Sequence, residues 1–206
     1  MGRIGVLGGS FDPVHVGHLE LARRALEQVP LDEVWLLPAS QPPHKPRRTL
    51  APAAHRRRML ELAIAGLPRL SICTLELDAP GVHYSVETLS TLARLHPAAS
   101  YWLLMGDDSL DDMSTWREPQ RLLRLAAPVV APRPAQAVTT RRPPPAREVY
   151  GVPIFWLAGE PIALSSSGLR AALARRERPA GIPTAVLDYI QAHGLYSAPA
   201  AGGSAP

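Results

Sequence analysis

Cysteine and lysine are almost missing from this sequence: one of each stands among its 206 residues. A single Cys73 rules out an internal disulfide, so a packed core must hold the chain together. Cys73 sits in an apolar, strand-like run, where a free cysteine is expected to be an inert core residue. No apolar run approaches the length of a membrane span. The N-terminus lacks the basic flank and long apolar stretch of a signal peptide, and a cytoplasmic protein is expected. Aromatic residues make up only 5%, too few to interleave with a basic stripe as nucleic-acid binders require. The positive charges are scattered instead, so neither a nucleic-acid nor a membrane partner is expected.

What is present is basic: the net charge is +4 and the pI 9.7, which suits anionic partners such as phosphorylated small molecules. Of 22 Lys and Arg residues only Lys45 is lysine. It stands in Gln41-Pro-Pro-His44-Lys45, and a compact ammonium is a different tool from a guanidinium fork. A chain that uses arginine elsewhere and lysine here marks a position that demands lysine. At 206 residues, 46% of them hydrophobic, the chain has the size of one domain with a substantial core. Oligomeric state, a homo-oligomer included, is left open.

The elements alternate. Apolar patterning predicts a strand at Ile4–Leu7, a helix at Gly17–Gln28 and a strand at Glu33–Leu37. A proline-rich basic loop, 39–51, leads to a helix at Pro52–Ala65 and a strand at Leu70–Leu77. Then follow a helix at Ser85–Leu95, a strand at Tyr101–Met105, short helical pieces at Asp108–Met113 and Pro119–Leu125, and a strand at Pro128–Ala131. A loop rich in Pro and Arg, 132–148, precedes a strand at Pro153–Leu157. A helix starts at Ser165–Ser167, and a last one, Pro183–Ala192, has proline at its start and Gly194 past its end. This order predicts an α/β fold: a doubly wound, Rossmann-like parallel sheet with a small C-terminal helical part. The domain is expected to span 1–197, with the helical part at about 165–196 and a disordered tail at 198–206.

In open α/β sheets ligands bind at the carboxyl ends of the strands. The first strand ends in Gly8, Gly9 and Ser10, followed by His15 and His18 at the mouth of a helix. The second ends in the loop with His44 and Lys45, the fourth in Gly106-Asp107-Asp108, and the last leads to Ser165–Ser167 and Arg170. Helix N-termini attract anions, and imidazoles three residues apart share one face of a helical turn. Phosphate-binding parts therefore converge on one edge. No GxGxxG follows the first strand, which excludes the dinucleotide fingerprint of nicotinamide-dependent oxidoreductases. Trp35, Trp102 and Trp156 are expected in the core. His55, His83, His96 and His193 are read as structural or surface residues.

With these residues in hand, the chain resembles the nucleotidyltransferases that carry an H/T-x-G-H signature, here His15-Val-Gly-His18. It looks most like the bacterial nicotinate-nucleotide adenylyltransferases, over nearly all of residues 3–196. Gly8 to His18 is similar to that family's opening motif, and Pro38 to Lys45 to its second. Tyr84-Ser-Val-Glu-Thr88 resembles Tyr-Thr-x-x-Thr, Gly106-Asp-Asp-Ser-Leu110 followed by Trp116 resembles Gly-x-Asp-x-Leu and its tryptophan, and Leu164 to Arg170 resembles Ile-Ser-Ser-Thr-x-Ile-Arg. The resemblance implies transfer of the adenylyl group of ATP to nicotinate mononucleotide, with Mg²⁺ on the ATP phosphates and no metal site made by the protein. By resemblance His15, His18 and Lys45 would be catalytic. ATP would meet Gly8, Gly9, Ser10, Phe11, His15, His18, Gly106, Asp107, Ser166, Ser167 and Arg170. The mononucleotide would meet Ser10, His44, Lys45, Tyr84, Ser85, Thr88 and Trp116, the last stacked on the pyridine ring.

Overall fold

A computed structural model describes residues 2–41, 50–79, 81–133 and 147–197. His44 and Lys45, most of the loop expected at 132–148 and the tail expected at 198–206 lie outside these residues.

β1 (Arg3–Gly9) is buried without a break from Ile4 to Leu7, as a central parallel strand covered on both faces must be. α1 (Val16–Gln28) buries Gly17, Leu21, Ala22 and Ala25 along one face. It ends at Val29, which is extended because Pro30 follows. β2 (Glu33–Pro38), α2 (Ala53–Ile64) and β3 (Leu70–Ile72) complete one half of the molecule. The other half holds α3 (Ser85–Leu95), β4 (Ser100–Gly106), α4 (Asp107–Asp111), a 3-10 turn at Asp112–Thr115, α5 (Pro119–Leu125) and β5 (Ala126–Ala131). A short antiparallel pair, β6 (Glu148–Val149) and β7 (Val152–Pro153), leads to β8 (Phe155–Trp156), and α6 (Ser166–Ala174) and α7 (Thr184–Ala192) close the described chain.

Six strands form one parallel sheet in the order β3-β2-β1-β4-β5-β8. Successive strand residues face opposite sides, so Leu7, Leu104 and Val129 join one core with Leu21, Leu60, Leu169 and Ile190. Val6, Leu103, Met105 and Val130 join the other with Leu89, Leu92 and Leu122. The expected doubly wound sheet is thus present. Its strand order reverses between β1 and β4, and there a crevice opens at the carboxyl ends.

Two expected strands are shorter than the apolar pattern suggests. The third stops at Ile72: Thr74 and Asp78 close a turn, Asp78 N donating to Thr74 O at 2.9 Å and Thr74 Oγ1 to the Asp78 carboxylate at 2.6 Å. The run expected at Pro153–Leu157 divides between β7 and β8. Cys73, Trp35, Trp102 and Trp156 are only partly buried, packed against the rims of the two cores.

Candidate active site

At the β1/β4 switch point lies a cavity of about 290 Å³. Its floor is Gly8, Gly9 and Ser10 from the end of β1, and its near wall is His15 and His18 from the start of α1. His15 is the N-cap of α1 and 3% exposed. The two imidazoles stack with centroids 3.8 Å apart. His15 N donates to Nδ1 of His18 at 3.2 Å, so a neutral His18 carries its proton on Nε2 and offers an N–H donor there. Burial, and then the positive charge of Arg133, lowers the pKa of His15 to about 4. His18 is pushed well below the usual histidine range by burial, then by His15 and Arg133. Both rings are therefore neutral at pH 7. His15 Nδ1 is buried with no hydrogen-bond partner among the described residues, a cost of about 1–3 kcal/mol that a bound ligand would relieve.

Gly17, between the histidines, is required by their packing. A Cβ there would stand 2.8 Å from Ile162 Cγ2 and 2.9 Å from His15 Nδ1. Any larger residue would push the His15 ring out of its stack.

The far wall comes from β4 and β5. Arg133, two residues past β5, lines the cavity and faces both histidines electrostatically. Its guanidinium pairs with the Asp108 carboxylate at 3.2 Å, and its backbone N–H donates to Asp107 Oδ1 at 3.2 Å. Gly106 makes room for it: a Cβ there would lie 2.4 Å from Arg133 Nε. Asp107, expected on the ATP side, is 4% exposed and braces the Arg133 backbone. The exposed Asp108 holds the guanidinium. Arg133 went unnoticed in the sequence because it opens a Pro/Arg-rich stretch without periodicity.

The cavity is also lined by Trp116, Ser85, His83 and Glu76. Trp116 closes the 3-10 turn, Met113 O accepting from its N–H at 3.1 Å. Tyr84 is not part of this lining; the Arg117 guanidinium stacks 4.6 Å from its ring centroid. Thr88 is 4% exposed and donates to the buried Glu76 carboxylate at 2.7 Å. His83, expected to be structural or on the surface, lies on the cavity wall with Nε2 against the Ala79 carbonyl.

Several expected site residues lie behind the cavity rather than on it. Phe11 is wholly buried, its ring centroid 4.8 Å from that of His18, with a left-handed backbone at φ 45°. Ser166 Oγ donates to Pro13 O at 3.0 Å, and Arg170 donates to Asp12 O and to Ser167 Oγ. The Asp12 carboxylate is the hub beneath the loop. It accepts from Tyr196 Oη at 2.7 Å and Ala51 N at 3.1 Å, with Arg170 Nη1 3.6 Å away. Beside it Arg56, 2% exposed, donates to Ser10 O at 2.9 Å, Ala39 O at 2.7 Å and Ala51 O at 3.0 Å. Arg56 thus ties the glycine loop to both ends of the segment that carries His44 and Lys45. Three consecutive arginines, 56–58, gave no signal for which one turns inward.

Among the described residues no three His, Cys, Asp or Glu side chains converge as a metal site, and no helix is long and apolar enough to cross a membrane.

The cytidylyltransferase-like family matches residues 6–172. Two relatives, each named "Probable nicotinate-nucleotide adenylyltransferase", come from Thermomicrobium roseum and Thermus thermophilus. The first is 41% identical over 95% of this chain and 92% of its own length. The second is 40% identical over 94% and 99%. Among solved structures, a Plasmodium falciparum nicotinic acid mononucleotide adenylyltransferase complexed with NaAD superposes with a TM-score of 0.78. It covers 95% of this chain and 98% of its own at 19% identity, a likeness of fold.

Proposed function

The chain belongs to the nicotinate-nucleotide adenylyltransferase family, within the cytidylyltransferase-like proteins, and from that premise we propose that it joins ATP and nicotinate mononucleotide into deamido-NAD and pyrophosphate. The observation that carries this reading is the stacked, neutral His15–His18 pair facing Arg133 where β1 and β4 part. It offers donors and positive charge without a nucleophile or a base.

The reaction asks for nothing more. A phosphate oxygen of the mononucleotide forms a bond to the α-phosphorus of ATP, and the bond from that phosphorus to the bridging oxygen breaks, releasing pyrophosphate. A phosphate monoester is ionised at neutral pH, its second pKa being about 6, so no general base is needed. Rate enhancement comes from holding the two anions in line and stabilising charge as it shifts to the leaving group. His18 Nε2–H and the Arg133 guanidinium are the donors set to do this. Lys45 would add a second cation, and the backbone of Gly8–Ser10 lets the phosphates approach closely. Magnesium enters with ATP as part of the substrate, held by phosphate oxygens and water. Ser166, Ser167 and Arg170 support the loop from beneath: Ser166 and Arg170 donate to Pro13 O and Asp12 O, and Ser167 Oγ accepts from Arg170. We assign the activity to a single domain, 1–197, working in the cytoplasm.

Purified protein with ATP, Mg²⁺ and nicotinate mononucleotide is expected to release pyrophosphate and deamido-NAD. Turnover with phosphopantetheine but not with the mononucleotide would sink the assignment. In the same assay Trp116→Ala is expected to raise KM for the mononucleotide about tenfold or more, the loss of one aromatic–base stack. KM for ATP should stay within about twofold. A KM effect confined to ATP would reverse the placement of the two substrates.

A further inference from the structure

Among the described residues five non-glycine positions have left-handed backbone, and two of them meet at one contact. They are Phe11, at φ 45°, and Tyr196, at φ 63°. That conformation is unfavourable for a bulky side chain and persists only where the surroundings hold it. Asp12 joins the two. It follows Phe11 in the chain, and its wholly buried carboxylate accepts the Tyr196 hydroxyl at 2.7 Å. Past the end of α7 the chain doubles back through Gly194, with Leu195 N donating to Ile190 O at 3.0 Å. The Tyr196 ring then packs against the core that holds Leu21 and Ile190. Burial, and then the Asp12 charge, raise the Tyr196 pKa above the ordinary tyrosine range, so the hydroxyl keeps its proton and stays a donor.

The turn that begins at Asp12 sets the histidine pair from two sides. Before it, the Phe11 ring lies 4.8 Å from that of His18. After it, His15 caps α1 and stacks on His18 at 3.8 Å. The C-terminal part grips this turn at four points. Tyr196 holds the Asp12 carboxylate, and Arg170 holds the Asp12 carbonyl. Ser166 Oγ donates to Pro13 O at 3.0 Å, and Gly181 O accepts from Val16 N at 2.8 Å. Tyr196 does not line the cavity. Its hydroxyl is a neutral donor, so removing it changes no charge.

We propose that Tyr196 is a positioning residue for adenylyl transfer: through Asp12 it fixes the turn between Phe11 and His15, and with it the aim of His18. The proposal rests on the functional reading above, in which His18 donates to the shifting charge.

Tyr196→Phe removes one oxygen and keeps the ring. Its kcat for pyrophosphate release is expected to fall about tenfold, less than the roughly 10² that a misplacement of about 1 Å can cause. KM for ATP and for the mononucleotide should stay within about twofold, because Tyr196 lies off the cavity. A double-mutant cycle separates aim from general support. In a His18→Ala background Tyr196→Phe should change kcat by less than about twofold, since the group it aims is gone. A purely structural role gives the same loss in both backgrounds. Imidazole resonances of His15 and His18, recorded without substrate, should shift in Tyr196→Phe as the stack loosens. Three results each overturn the proposal: kcat within about twofold of the unmodified protein, a loss that persists without His18, or unchanged resonances. Should Tyr196→Phe fail to fold, Ser166→Ala relaxes the same turn from the Pro13 carbonyl. The same pattern is then expected, and any other overturns the proposal. The resonances are read without catalysis, so a failure of the unmodified protein to form deamido-NAD is a separate result that counts against the functional reading.

Discussion

Replacing His18 by alanine is expected to lower kcat by about 10²–10³, the cost of removing one pre-aimed donor to developing charge. Three contacts hold the ring before substrate arrives: the stack on His15, the Phe11 ring beside it, and the His15 N–H on Nδ1. The last of these directs the proton to Nε2. Because the donor is already oriented, little reorganisation is needed when charge shifts between the phosphates, and alanine loses that advantage at the reaction step. KM values should change far less than kcat, since ground-state phosphates keep Arg133 and the backbone of the glycine loop. The His15 N–H loses its acceptor, costing about 1 kcal/mol, or a fall in Tm of a few degrees at this size. Steady-state pyrophosphate release beside a thermal melt separates the two effects. A folded variant with near-normal kcat rejects the role.

Arg133→Ala should be as severe, but spread differently. The guanidinium is the cation facing both imidazoles and lines the cavity between β4 and β5. A charge-assisted donor of this kind acts on ground-state and transition-state phosphates alike. We therefore expect kcat/KM to fall by about 10²–10³, shared between a higher KM and a lower kcat. A second readout distinguishes lost charge from lost shape. Arg133 is the second cause, after burial, of the low pKa of His15, which stands at about 4. Removing the cation should move the His15 titration upward, towards but not reaching the ordinary 6.5, because burial remains. The imidazole resonances followed with pH report this directly. The sign matters for stability too. A histidine buried in neutral form costs stability as pH falls from 6.5 through its folded value, so the variant should lose less stability in acid than the unmodified protein. An unchanged His15 titration with a full loss of activity would mean that Arg133 acts on the substrate alone.

Periodicity and turn chemistry were enough for most of the architecture. Ile4–Leu7, Glu33–Leu37 and Tyr101–Met105 read as buried strands and sit side by side in the sheet. The stretch from Gly8 to His18 carried its own site because every part lies within eleven positions: strand end, glycines, helix start and both histidines. Local spacing suffices when the contacts are local.

The remainder depended on residues far apart in sequence. Tyr196 and Asp12 are 184 positions apart, and no pattern along the chain could join them. Glu76 looked like a strand residue because Leu75 and Leu77 alternate around it. Only the turn after Ile72 sends its carboxyl to Thr88 and the cavity. Arg56 is indistinguishable in sequence from Arg57 and Arg58, yet the pitch of α2 turns it alone onto the carbonyls of Ser10, Ala39 and Ala51. Arg133 belonged to a stretch without period, and its place over Gly106 follows from the pairing of β5 with β4. By itself, then, the sequence determined the alternating elements, the parallel sheet and the pairing of two histidines at the end of β1, because these arise from neighbours along the chain. Tertiary structure alone decided which cation faces those histidines, which acid lines the cavity and what braces the loop. Those choices are made by side chains that meet only when the sheet brings their strand ends together.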